Sequence, residues 1–307
     1  MDSNFIACVI GAGNIGKHHA TSLLEKGFSV IVVDPIKPDI DGIKWFKEIS
    51  EEIIHMSNFI IISTTARYHF EIVKKISKDF GKKIVVIEKP LFSNNFEYAQ
   101  FKIIDLKSDH KFYCNVPNYH NNRIKKLSIM KRLGKINSYT VTGSGWGMAC
   151  NVLHDISILD ILFENQDFKL SKLNSKINSF EESKRKGHFE VFGSIEFLFN
   201  NIPVKLNCIK DGSLSKNIKV EFENGSVLID LFSEKMQILV KNEPAKVYEF
   251  PAIRASETTG LVAESLINGI QMLPYAASYI DASLLIYEAF AKVLESKASN
   301  KLDYPFT

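Results

Sequence analysis

The sequence predicts an α/β protein in which an N-terminal parallel sheet is followed by a C-terminal α+β domain built on a largely antiparallel open sheet. Three observations predict it. The first third alternates short β-branched runs with stretches of helical apolar spacing, the pattern of βαβ units. The first run ends in a glycine-rich turn that opens a helix. From about Ser138 the pattern changes to one helical stretch, Val152–Phe163, and then to strand-like segments separated by turn residues. The 307 residues are about twice the length of one domain.

Taken in order, the parallel strands are expected at Phe5–Ile10, Phe28–Val33, Asn58–Ile62, Lys83–Ile87 and Lys111–Val116, with helices such as Ile15–Glu25 and His69–Phe80 between them. These runs are almost continuously apolar, as strands covered on both faces must be. The later strands are expected at Phe189–Phe199, Val204–Ile209, Ile218–Phe222 and Val227–Asp230, with Asp211-Gly212 and Asn224-Gly225 as turns. A helix, Leu284–Glu295, follows the Leu273-Pro274 break. The division is expected at Pro117: residues 1–117 for a dinucleotide-binding domain, and 118–307 for substrate binding and oligomerisation, with the last helix and tail free to pack back on the first domain.

Composition narrows the function classes. Hydrophobic residues make up 45% and charged residues 24%, which suits a folded globular chain. The 38 basic and 35 acidic residues leave a net charge of +3, too little for a nucleic-acid-binding stripe. No apolar run approaches the roughly 20 residues that span a bilayer, so no membrane partner is expected. Cys8, Cys114, Cys150 and Cys208 are widely scattered, which fits a reducing cytoplasm, and Cys150 with His154 supplies only two of the four ligands a structural zinc needs. No metal is expected.

The first strand runs into Gly11-Ala12-Gly13-Asn14-Ile15-Gly16, a G-x-G-x-x-G that becomes a helix. Gly11 permits the tight turn, Gly13 lets the backbone approach a pyrophosphate, and Gly16 allows close packing of helix on strand. The helix N-terminus offers N–H groups and positive dipole to phosphate. The second strand ends at Asp34, 23 positions beyond Gly11, where a carboxylate accepts from both adenosine ribose hydroxyls and repels a 2′-phosphate. The chain is therefore expected to be a Rossmann-type dinucleotide binder preferring NAD, with Lys37 close enough to leave NADP as the alternative. His18 and His19 follow the turn and are expected to be structural or near the cofactor.

Glu88-Lys89-Pro90 stands at the end of the fourth strand, after a third strand that ends Ser63-Thr64-Thr65 with His69 following. Further on comes Gly147-Met148-Ala149-Cys150-Asn151-Val152-Leu153-His154-Asp155-Ile156-Ser157-Ile158-Leu159, a glycine-led start to a helix carrying a histidine, and later Leu266-Ile267-Asn268-Gly269. Together these motifs resemble the glucose-fructose oxidoreductase, inositol dehydrogenase and rhizopine-catabolism family over essentially the whole chain. The resemblance implies an NAD(P)-dependent oxidoreductase acting on a secondary hydroxyl or ketone of a sugar, nucleotide sugar or cyclitol. It assigns His154 as acid/base and Lys89 as the donor that polarises the reacting oxygen. It adds Thr64, Thr65, His69, Glu88 and Lys89 to the dinucleotide contacts, and Asn118, His120, Trp146 and Asn151 to the substrate contacts, although a buried core place suits Trp146 equally well. A homodimer or homotetramer through the C-terminal sheet is also expected, because covering an open face removes exposed apolar area.

The departures from the family pattern fall near the substrate. Thr65 replaces a proline, Asn151 and Ser157 stand where many members carry aspartates, Asn118 takes the place of an arginine, and the Gly143–Gly147 loop is short. An amide at 151 cannot stabilise an imidazolium as a carboxylate does, and Asp155 points about 100° away from His154 on a helix. The missing carboxylates leave open a non-catalytic dinucleotide and sugar sensor, and the fold leaves open a biliverdin-reductase-like reductase. A Lys184-Arg185-Lys186 run is expected to be a solvated turn.

Overall fold

The computed structural model describes residues 5–116, 118, 124, 126–127, 131–163, 169–183, 188–251, 254 and 257–295; His120, the expected boundary at Pro117 and the Lys184-Arg185-Lys186 run lie outside them. The chain divides into two compact units, one of Met1–His120 with Ile253–Ile280 and the other of Asn121–Ala252 with Asp281–Thr307. The returning segment is therefore 253–280, and the last helix belongs to the second unit, which differs from the single cut expected from the sequence.

In the first unit, strands β1 (Ile6–Ile10), β2 (Ser29–Val33), β3 (Ile43–Phe46), β4 (Phe59–Ile62), β5 (Ile84–Ile87) and β6 (Lys111–Cys114) form a parallel sheet in the order β3-β2-β1-β4-β5-β6. This is the doubly wound order, and it reverses between β1 and β4, where such sheets bind dinucleotides at their carboxyl ends. Helices α1 (Asn14–Glu25), α2 (Glu51–Met56), α3 (Ala66–Ile76) and α4 (Asn95–Lys107) connect the strands. Ala7, Val9, Val30, Val32, Phe59 and Ile61 enter one cluster with Ala20 and Leu23 of α1, while the alternate residues Cys8, Ile10, Ile31, Ile60 and Ile62 are buried too. Burial of both alternating sets is why these runs carry no polar period.

The returning segment begins with α6 (Thr259–Ile267), α5 (Met148–Leu162) lying in the second unit; Val262, Ala263 and Leu266 of α6 complete the cluster. A Cβ on Gly260 would lie 2.4 Å from Ser22 O, so only glycine lets α6 sit this close to α1. The Ser22 hydroxyl accepts from Gly260 N and donates to Glu257 O, both at 3.0 Å. Beyond α6, Tyr275 forms a single antiparallel bridge with Tyr113 of β6 and their rings stack at 5.1 Å.

The second unit holds an eight-stranded sheet in the order β14-β13-β12-β11-β7-β10-β9-β8, in which only β7 and β10 pair in parallel. The strands are β7 (Ile136–Ser144), β8 (Leu170–Glu182), β9 (Phe189–Phe199), β10 (Ile202–Ile209), β11 (Asn217–Phe222), β12 (Gly225–Asp230), β13 (Lys235–Val240) and β14 (Lys246–Glu249). Helix α5 (Met148–Leu162) packs against β9 and β10, and α7 (Ile280–Glu295) ends the described chain. Inward positions such as Tyr139, Val141, Ile195, Phe197, Val204 and Leu206 are buried. The alternate positions carry Thr140, Thr142, Glu196, Lys205, Lys219 and Glu221, with Lys205 paired to Glu196 at 2.8 Å across the β9–β10 ladder. The open face is thus mainly polar, with Leu198, Leu228 and Leu239 scattered along it. No helix among the described residues is long and apolar enough to cross a membrane.

Candidate functional site

The glycine turn sits at the carboxyl end of β1. Gly11 has φ +95°, and a Cβ there would lie 2.8 Å from Thr64 N. A Cβ on Gly16 would lie 1.9 Å from Gly11 O, so this glycine sets the approach of α1 to the turn. Gly13 is different: a Cβ would meet nothing within 4 Å. Its openness belongs to whatever docks on the turn, because neither the conformation of Gly13, with φ −64° and ψ −169°, nor packing requires glycine there. No side chain caps α1 and no acidic residue stands in its first turn, which leaves its amino end suited to an anion. Asn14 and Ile15 form that end, and Ile15 is exposed.

Asp34 is anchored beside the turn. Ala12 N donates to Oδ2 at 2.6 Å, Ile36 N donates to Oδ1 at 2.9 Å, and Trp45 Nε1 donates to the Asp34 carbonyl at 2.9 Å. Lys37 is exposed. Across the turn, Thr65 precedes α3 but makes no capping bond, and its buried hydroxyl has no hydrogen-bond partner within the described chain. A buried hydroxyl left unpaired costs about 1–3 kcal/mol, which a bound dinucleotide would relieve. Thr64 Oγ1 donates to Thr65 O at 3.4 Å. The His69 ring is buried, with Nδ1 2.9 Å from Leu91 O and Nε2 3.0 Å from Thr64 O. Burial pushes its pKa down against the pull of these carbonyls. His69 therefore joins the loops after β4 and β5 and braces the Thr64 main chain.

Glu88 and Lys89 follow β5, and the Lys89–Pro90 bond is cis. Glu88 Oε1 accepts from His19 Nε2 at 3.0 Å and from Asn115 Nδ2 at 2.5 Å. Burial would raise the pKa of this carboxyl, but the hydrogen bonds from His19 and Asn115 and the neighbouring Lys89 charge outweigh it and hold the group at about 2. Glu88 is thus an internally bonded anion beside Lys89. The sequence expects His19 to be structural or near the cofactor; Asn115 and Thr259, which bonds His19, carry no motif that reveals them.

In the second unit, Gly147 caps α5 in the left-handed region, φ +70° and ψ +58°, and His154 lies two helical turns in. Asn151 Nδ2 donates to Trp146 O at 2.9 Å and to Gly147 O at 3.1 Å, so its donor braces the loop. The structure gives Trp146 the buried of its two expected places. Its Nε1 donates to Asn207 O at 2.9 Å, Lys216 Nζ sits 4.2 Å from the ring centroid, and the residue is only 9% exposed. Ser157 Oγ donates to His154 O at 2.7 Å, a backbone role that no aspartate at this position would play. Asn118 is half-buried, and His120 lies outside the described residues.

Asp155, beside His154 in sequence, is 2% exposed and pairs with Lys216 Nζ at 2.7 Å. Burial pushes its carboxyl up, against the pull of Lys216. Removing one partner strands the other, so Lys216→Met should lower stability by about 3–5 kcal/mol. The double variant Asp155→Asn with Lys216→Met should recover part of that loss, and equal melting temperatures for the single variant and the wild type would refute the pair's role.

No protein-family model matches the chain, and no curated protein matches it in sequence. Solved structures do. UDP-N-acetylglucosamine 3-dehydrogenase GnnA from Acidithiobacillus ferrooxidans superposes with a TM-score of 0.70 at 11% identity, over 92% of this chain and 96% of that one. The transcriptional regulator Gal80p from Kluyveromyces lactis gives 0.73 at 15%, over 96% and 94%. The fold is that of the glucose-fructose oxidoreductase family. GenD2 from gentamicin A biosynthesis, solved in complex with NAD, gives 0.71 at 16%, over 97% and 96%. The proteins that share this fold thus include both a dehydrogenase and a transcriptional regulator.

Proposed function

We propose that the chain is a dinucleotide-dependent oxidoreductase of the glucose-fructose oxidoreductase type, moving hydride to or from a secondary hydroxyl or ketone of a sugar, with NAD preferred over NADP. The observation that carries this reading is the cradle at Gly13, open where packing demands nothing, beside the anchored Asp34 carboxylate. Gly11, Gly13 and the amino end of α1 would hold the pyrophosphate, Asp34 the adenosine ribose, and the Thr65 hydroxyl a further polar group of the same ligand. When bound, the nicotinamide supplies the hydride acceptor or donor. Lys89 donates a hydrogen bond to the reacting oxygen and stabilises the negative charge that grows there. His154 takes the hydroxyl proton in oxidation and returns it in reduction. A nucleotide sugar is the leading substrate class, in keeping with GnnA.

Gal80p and the non-acidic residues at 151 and 157 favour one second reading, a sensor that binds dinucleotide and sugar without turnover. Fluorescence titration should show NADH binding at least about tenfold more tightly than NADPH, since a carboxylate facing a 2′-phosphate costs about 1.4 kcal/mol or more. A panel of nucleotide sugars, sugar phosphates and inositols, followed by the absorbance of the reduced nicotinamide, should then yield turnover. Failure to bind NADH rejects both readings; tight sugar binding without turnover selects the sensor.

A further inference from the structure

One feature of the first unit has no place in the reaction just described. Thr259 Oγ1 lies 2.6 Å from His19 Nδ1, His19 Nε2 lies 3.0 Å from Glu88 Oε1, and Asn115 Nδ2 donates to that same oxygen at 2.5 Å. The start of α6, the middle of α1 and the residues just after β5 and β6 are thus joined in one chain of contacts that ends on a single carboxylate oxygen, and the residue after that carboxylate is Lys89. His19 is 0% exposed, Thr259 3% and Asn115 5%.

A hydroxyl, an imidazole and a carboxylate in this order resemble a nucleophile relay, but the Thr259 oxygen is buried where no substrate reaches it, so the chain acts on its other end. A neutral imidazole carries one N–H, and the group at the second nitrogen decides which. If Thr259 donates to Nδ1, the proton stands on Nε2 and faces Glu88. The carboxylate then has two fixed donors on one oxygen, and the main chain at its Cα is held with it.

We propose that His19, its tautomer set by Thr259, is a positioning residue that fixes Glu88 and with it the Lys89 side chain next in sequence. The proposal rests on the oxidoreductase reading, in which Lys89 touches the reacting oxygen. It assigns Thr259, about 240 residues from His19 in sequence, a part in the site although it touches neither ligand.

The test uses the full chain. Nitrogen NMR of ¹⁵N-histidine-labelled wild type should show His19 as a single Nε2–H tautomer, and Thr259→Val should lose that signature while Thr259→Ser keeps it. In steady-state assays Thr259→Val should lower kcat by about 10- to 100-fold with KM for NADH unchanged, as a shifted catalytic group does, and Thr259→Ser should restore it. Because Thr259→Val also strips a buried partner, melting curves and NADH binding are measured on both variants. If Thr259→Val does not fold, His19→Gln, which keeps a donor toward Glu88, replaces it, with a smaller kcat loss expected. An Nδ1–H or doubly protonated His19 overturns the proposal, and so does an unchanged kcat in a folded variant. A wild type that shows the tautomer but turns over none of the panel overturns the link to Lys89 chemistry and rejects the enzyme reading, a result distinct from active wild type with indifferent variants.

Discussion

Lys89→Met should lower turnover by about 10²–10³-fold while leaving NADH affinity within about twofold of wild type. Methionine keeps the length of the side chain and removes the ammonium donor, and a donor aimed at a developing oxyanion is worth that much in rate. The glycine turn and Asp34 are untouched, so binding persists. His154→Asn should fall by about 10²–10⁴-fold, since an amide of similar size transfers no proton at neutral pH. Single-turnover measurements with a substrate found in the panel separate the chemical step from release, and wild-type rates in either variant would remove these residues from the mechanism.

The second large effect divides two glycines that the motif treats alike. Gly16→Ala puts a carbon 1.9 Å from Gly11 O, so α1 must leave the turn, and a loss of about 4 kcal/mol or more in chemical denaturation is expected. Gly13→Ala meets no protein atom within 4 Å, and its stability should stay within about 1 kcal/mol of wild type. The new methyl group nevertheless occupies the approach to the turn, and NADH binding should weaken at least about tenfold. Intact folding with intact binding in Gly13→Ala would mean the cradle does not hold the dinucleotide.

The parallel sheet was legible because its strands are buried on both faces and so are written as unbroken apolar runs between glycine and helix signals. The same principle explains what was missed. Strand β7 reads Ile136-Asn137-Ser138-Tyr139-Thr140-Val141-Thr142-Gly143-Ser144, central in its sheet yet polar on one face, and β8 is lysine- and serine-rich with two register shifts against β9. Turn chemistry revealed Gly11, Gly13 and Gly16, and position at a strand end revealed Asp34, Glu88 and Lys89. Pairing is not written locally: the bond between His19 and Thr259 spans 240 positions, and Lys216, which holds Asp155, belongs to no motif. Trp146 shows the limit of residue type as a guide, because its flanking glycines suggest a surface loop while its indole N–H ends on a strand carbonyl.

The close crossing of α6 on α1 sets a schedule for synthesis. The first unit is discontinuous in sequence, and Val262, Ala263, Leu266 and Leu273 of its core emerge roughly 140–150 residues after His120. At about 5–20 residues per second, that is a delay of about 7–30 s during which β1, β2 and α1 exist without their cover. The larger part of the second unit, Asn121–Ala252, emerges in that interval, so the glycine turn belongs to the unit whose core is completed late.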